Sequence, residues 1–219
     1  MSAITVDNFV EDLEALRVTF GFEKFSLIGH SWGAIIAISY AIKYQSHLDK
    51  LILVDSIPVN NTFLLEFNDT FQKRIQDLSP EAQQMFTTTC TFSLAKLTSE
   101  ERMECDAINA TIRFYDPTKA LTIAPTVDEN TAKNSDIIHP LIRTDFNRNQ
   151  QDIDSKLTTV HVPTLILHGD FDPIPVASSE YIKHHIPTSQ IIIITESGHF
   201  PFVEQPEQFF AALRSFLSN

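Results

Sequence analysis

Four short, almost unbroken apolar runs constrain this chain more than any other feature: FSLIGH (25–30), LILVD (51–55), TLILH (164–168) and QIIIIT (190–195). Each has strand length, and apolarity that continues rather than alternates suits strands covered on both faces. Segments of helical character lie between them. Residues 32–44 have helical length and many small side chains, 177–185 follow the third run, and 206–217 open on Pro206 and place Phe209, Leu213 and Phe216 on one face. Upstream, Thr5 is placed to cap a helix whose apolar positions Phe9, Leu13, Leu16 and Phe20 recur at helical spacing, and Gly21 ends it. Strand alternating with helix predicts an α/β fold with a parallel sheet.

Between about residues 58 and 153 that rhythm breaks. The stretch has no glycine and no strong strand, and Ser79-Pro80-Glu81 and Thr98-Ser99-Glu100 read as helix starts. Asp116-Pro117 and Ala124-Pro125 are expected turns, and 130–134 is polar enough to be a loop. The predicted organisation is a first core part (1–58), a helical insertion (59–153) and a second core part (154–219).

Charge and composition exclude several classes of function. Sixteen basic against 28 acidic residues give a net charge of −12, which repels a phosphate backbone, so nucleic acid is not expected as a partner. The longest apolar run, 34–42, falls well short of the roughly 20 residues that cross a bilayer. Asp7, Glu11, Asp12 and Glu14 contradict the basic and apolar regions of a signal peptide, so a cytoplasmic location is expected and membrane attachment is not. Cys90 and Cys105 carry no partner motif and are expected to be reduced thiols. Oligomeric state leaves no signal.

Only five glycines occur in 219 residues, which makes their positions informative. Gly29-His30-Ser31-Trp32-Gly33 matches G-x-S-x-G directly between a strand and a helix, the setting in which a serine is held exposed on a strained turn. Glycine is expected at both 29 and 33 because side chains there would collide with the neighbouring strand and helix. A serine hydroxyl needs a base and a carboxylate to orient that base. HGDFDP (168–173) follows the third strand and SGHF (197–200) the fourth, which makes His199 the candidate base and Asp172 the candidate acid, with Asp170 as competitor. The other histidines show no metal-ligand spacing, so no metal is expected.

Taken together, GHSWGA (29–34), VPTLILHGDFDPIP (162–175) and SGHFPFVEQPEQF (197–209) resemble the α/β-hydrolase superfamily, and Trp32 after the serine looks like its proline iminopeptidase branch. VEDLEALR (10–17), YAIKYQSHLDKLILVDS (40–56) and RFYDP in the insertion are similar to that branch too, so the resemblance spans nearly the whole chain. It implies an α/β-hydrolase fold with the insertion as a cap. It also implies Ser31 as nucleophile, Asp172 as acid, His199 as base, the Trp32 backbone N–H as an oxyanion donor, and no cofactor. The implied activity is release of N-terminal proline or similar residues from short peptides; a carboxylesterase is the alternative, and a truncated, catalytically weak or binding-only form a further one. Iminopeptidases hold the substrate amine with acidic cap residues; Glu66, Glu81, Glu100, Glu101 and Glu104 are available, with no motif to select among them. The family's Gly-rich HGGPG segment, source of a second oxyanion donor, does not occur, so the chain is expected to start within the family's fold with the 25–30 strand at a sheet edge. Glu204 and Pro206 are expected to cap the last helix.

Overall fold

A computed structural model describes residues 4–91, 96–122 and 129–218. The four apolar runs form β1 (Phe25–His30), β2 (Leu48–Val54), β3 (Thr164–Gly169) and β4 (Ser189–Ile194), which pair in that order into one parallel sheet. The fold class expected from the sequence is thus present, with α2 (Trp32–Tyr44) linking β1 to β2 and α7 (Val176–His185) linking β3 to β4.

Alternate side chains of the inner strands point to opposite faces, and each face has its own core. Leu51, Leu53 and Ile166 join Ala34, Ile38 and Tyr40 of α2 in the larger cluster. Ile52, Val54, Leu165, Leu167 and Ile194 join Phe209 and Phe216 of α9 (Pro206–Ser218), the helix after the short α8 (Pro201–Glu204), in the smaller one. Burying each of these two phenylalanines is worth about 2–3 kcal/mol, which is why 206–217 docks as the sequence predicts. Two-sided burial holds for β2 and β3 but not for the outer strands. Both β1 and β4 alternate between covered and exposed positions, and Ile28 is 50% exposed because α9 packs over β2 to β4 and stops short of β1.

The opening helix α1 (Val6–Thr19) is capped by Thr5 Oγ1, which accepts the Asn8 N–H at 3.1 Å. Its buried face differs from the expected stripe. Val6 and Val10 are enclosed with Phe9 and Leu13 beside them, whereas Leu16 and Phe20 are exposed, because the C-terminal turns of α1 project past the core.

Between β2 and β3 the described residues hold no strand. The helices are α3 (Asn61–Gln76), α4 (Pro80–Met85), α5 (Ser99–Arg113) and α6 (Glu129–Lys156). Ser79 Oγ caps α4, and Thr98 and Glu101 form a reciprocal capping box on α5, as their sequences suggest. Asp116 Oδ1 accepts the Thr118 N–H in the expected turn, and Ala124-Pro125 lies outside the described residues. Residues 130–134 are the first turns of α6 rather than a loop: polar residues on an exposed helix mimic loop composition when they carry no apolar stripe. Cys90 and Cys105 are joined in a disulfide, which corrects the expectation of two reduced thiols. Their pairing is set by α5 packing beside the helical turn Phe86–Cys90, which brings the two Cα atoms to 5.3 Å, and sequence spacing carries no trace of it. No helix among the described residues is long and apolar enough to cross a membrane.

Candidate active site

Ser31 sits where β1 turns into α2, with φ 55° and ψ −119°. That left-handed backbone is unfavourable for a side chain with a Cβ, and it is held by the Ser31 N–H donating to Val54 O at 2.9 Å across to β2. A Cβ on Gly29 would overlap the Gly33 carbonyl, so glycine is required there. At Gly33 the expectation fails, since a Cβ would point into open space.

His199 Nε2 lies 2.9 Å from Ser31 Oγ, and His199 Nδ1 lies 2.7 Å from Asp172 Oδ2. An ionised carboxylate only accepts, so Nδ1 carries the proton and Nε2 presents its lone pair to the serine. Asp172 Oδ1 accepts the Ile174 N–H at 2.9 Å, which fixes the carboxylate's second oxygen. Burial alone would raise the Asp172 pKa, but His199 beside it, His168 behind it and the Ile174 amide hold it below the usual carboxylate value. The competitor Asp170 is exposed and accepts the Ser197 N–H at 3.2 Å, away from the imidazole. The loops bearing Asp172 and His199 touch at Gly169, where a Cβ would overlap the Ser197 and Gly198 carbonyls. Trp32, the first residue of α2, has a backbone N–H with no intrahelical acceptor, beside the Ser31 hydroxyl. Its ring meets Phe146 of α6 edge-on at 5.2 Å.

Four residues near this row have roles that the sequence did not suggest. The first is His30, inside the motif, whose Nε2–H is donated to the His199 carbonyl at 2.7 Å. Burial, and then the neighbouring His199, lower its pKa to about 4, so it stays neutral. Glu204 does not cap the last helix. Its buried carboxylate accepts the Gly198 N–H at 2.6 Å and the Asp116 N–H at 2.9 Å, tying the His199 loop to the chain after α5. Arg113, the last residue of α5, accepts the His199 N–H on its backbone carbonyl at 2.8 Å. Asp55, at φ 44° after β2, is wholly buried and accepts the Gly169 N–H at 2.9 Å; burial first, and the facing Asp172 second, push it well above the usual carboxylate range.

Asp55, His168 and Asp172 lie close enough to share an ion, yet their donor atoms are otherwise engaged. His168 Nε2 donates to Ile174 O and its Nδ1 accepts from Ser179 Oγ, both at 2.9 Å, and both Asp172 oxygens are in use. Only Asp55 Oδ2 has no partner, and one oxygen does not make a metal site.

A cavity of about 340 Å³ opens beside Ser31 and His199 between the sheet end and helices α3, α5 and α6. None of Glu66, Glu81, Glu100, Glu101 and Glu104 lines it, and no Asp or Glu among the described residues does.

A strained serine at a strand-to-helix turn, with a histidine and an aspartate brought to it from the ends of two later parallel strands, defines a class of fold and site found in hydrolases. The family model described as alpha/beta hydrolase fold matches residues 2–206, and the chain belongs to that family. Among its relatives, a proline iminopeptidase of Saccharolobus solfataricus is 26% identical over 229 residues, spanning 100% of this chain and 70% of that protein. The AB hydrolase superfamily protein YclE of Bacillus subtilis is 26% identical over 98% of this chain and 75% of its own. The solved structure of an alpha/beta fold family hydrolase from Bacillus anthracis superimposes with a TM-score of 0.70 at 22% identity, covering 97% of this chain and 74% of that one. The protein is a hydrolase of this fold, similar to the proline iminopeptidase branch.

Proposed function

We propose that this hydrolase works through Ser31, His199 and Asp172 as an acyl-transfer triad beneath a helical cap, and that it releases N-terminal residues, proline foremost, from short peptides. The observation that carries the chemistry is the row from Ser31 Oγ through His199 to Asp172 Oδ2, with steps of 2.9 and 2.7 Å. Ser31 Oγ attacks the acyl carbon as its proton passes to His199 Nε2, and the Asp172 carboxylate stabilises the resulting imidazolium. The Trp32 N–H donates to the developing oxyanion, a contact of a kind worth about 3 kcal/mol. The imidazolium then protonates the leaving group, and water activated by His199 releases the acyl group. Support for the peptide substrate comes from the iminopeptidase relatives and the Trp32 signature.

One observation favours ester hydrolysis as a second reading: the cavity offers no carboxylate, among the described residues, to hold a substrate's ammonium. Comparing prolyl and alanyl arylamides with short acyl esters decides between them. The peptidase reading expects the prolyl arylamide to be cleaved fastest; cleavage of esters alone contradicts it and leaves the triad in place.

A further inference from the structure

The wall of the Ser31 cavity has the opposite charge from the rest of the chain. The chain carries 28 acidic and 16 basic residues. The cavity is nevertheless lined by Arg113 of α5 and Arg143 of α6, and by no Asp or Glu among the described residues. Some cations elsewhere are ion-paired, Arg17 with Glu14, Lys43 with Asp7 and Glu11, and Lys156 with Asp152, while Lys50 and Arg74 donate to backbone carbonyls away from this cavity. Arg113 is not paired in this way. Its guanidinium donates to Asn109 Oδ1 and lies 5.2 Å from the centre of the Phe71 ring, both neutral partners that orient it without cancelling its charge. Burying a cation costs desolvation; it pulls the Arg113 pKa down although the charge of Asp172 acts the other way, and both Asp172 oxygens are already engaged by Ile174 and His199, so no carboxylate among the described residues pairs directly with this guanidinium. A guanidinium fork matches a carboxylate in two parallel hydrogen bonds. Asn68 and Asn147 add neutral hydrogen-bonding groups to the same wall, and Trp32 and Phe146 supply an apolar surface for the uncharged part of a ligand. The volume, about 340 Å³, lies at the small end for ligand sites.

We infer that the substrate of this site is a small molecule bearing a carboxylate, which Arg113 and Arg143 hold while Ser31 attacks the acyl carbon. The inference rests on the reading of Ser31 as nucleophile and names the substrate class for it. The carboxylate has two chemical sources, the acyl part of an ester or the free C-terminus of a dipeptide. On a dipeptide it is the carboxylate end that faces the arginines, since they repel an ammonium.

The test uses two matched pairs of substrates. One is 4-nitrophenyl hydrogen glutarate against its methyl ester, and the other is prolyl-alanine against prolyl-alanine amide. The charged member of at least one pair is expected to have a kcat/KM about 10- to 100-fold higher, as for a charge-assisted hydrogen bond, and the pair that shows it identifies the source. Arg143→Gln, on an exposed helix position that should fold normally, is expected to cut that ratio, and Arg113→Gln with Arg143→Gln together to bring it near one. Arg113→Lys is expected to keep part of it. Separately, calorimetric titration of the Ser31→Ala protein with monomethyl glutarate is expected to show binding that Arg143→Gln weakens about tenfold. Hydrolysis of neutral esters with no preference in either pair, or a preference that survives both arginine substitutions, overturns the carboxylate site and keeps the triad. Calorimetric binding that depends on Arg143, in a protein that hydrolyses nothing, keeps the carboxylate site and overturns the nucleophile.

Discussion

The Nε2–H of His30 is donated to the carbonyl oxygen of His199 at 2.7 Å, so the residue before the strained serine holds the backbone of the histidine that faces that serine. His30 also packs against Phe200 and Phe202, with ring centroids 5.4 and 5.3 Å away. Ser31 and His199 are thereby braced by one side chain, whose burial keeps it neutral.

That neutrality sets a pH dependence. With its folded pKa lowered to about 4 from an unfolded value of about 6.5, His30 contributes stability in full above pH 6.5, and this is lost as the pH falls through 4. Melting temperature is expected to drop between pH 6.5 and 4, and His30→Asn is expected to flatten that limb while lowering the plateau at pH 7. An equally steep limb in the variant assigns the loss to other groups.

Asp172 and Asp170 make a clean pair for substitution. Asp172→Asn removes the carboxylate that fixes the His199 tautomer, and a loss of about 10⁴ in turnover is expected. Asp170→Asn keeps an oxygen for the Ser197 N–H and is expected to change turnover by less than about threefold. Steady-state kinetics on whichever substrate is cleaved reads both, with circular dichroism to show that each protein is folded. The reverse ranking reassigns the acid.

Glu204 anchors the His199 loop with two accepted N–H bonds, whereas a glutamine offers one oxygen and turns a donor toward the other amide. Glu204→Gln is expected to cost about 1–3 kcal/mol, or about 3–10 °C in melting temperature for a chain of this size. Turnover is expected to fall more than KM changes, because His199 shifts while the cavity wall contributed by α3 and α6 stays in place. An unchanged melting temperature contradicts the anchoring role.

The parts legible in the sequence are those with a local cause. Continuous Leu and Ile in LILV and TLIL need two covers and so mark the inner strands, and Thr5, Ser79 and Thr98 accept from amides three residues ahead. That Ser31, Asp172 and His199 would meet is readable because Ser31 follows β1 directly and the other two lie in the loops after β3 and β4, at the end of a parallel sheet where the loops converge. Partners set by tertiary packing left no such mark. Glu204 bonds an amide 88 residues back, Cys90 meets Cys105 through the packing of two helical segments, and the Arg113 carbonyl reaches the His199 amide from the far side of the insertion. Residues 130–134 failed for a different reason, since a polar exposed helix shares its composition with a loop.

The central claim, that His199 activates Ser31, is tested most directly by reaction with a fluorophosphonate probe, which requires an activated serine and no knowledge of the substrate. Rapid labelling is expected, with the adduct mapped to Ser31 by mass spectrometry, abolished in Ser31→Ala and slowed by about 10² or more in His199→Ala. Labelling of the native protein no faster than of Ser31→Ala would contradict the account.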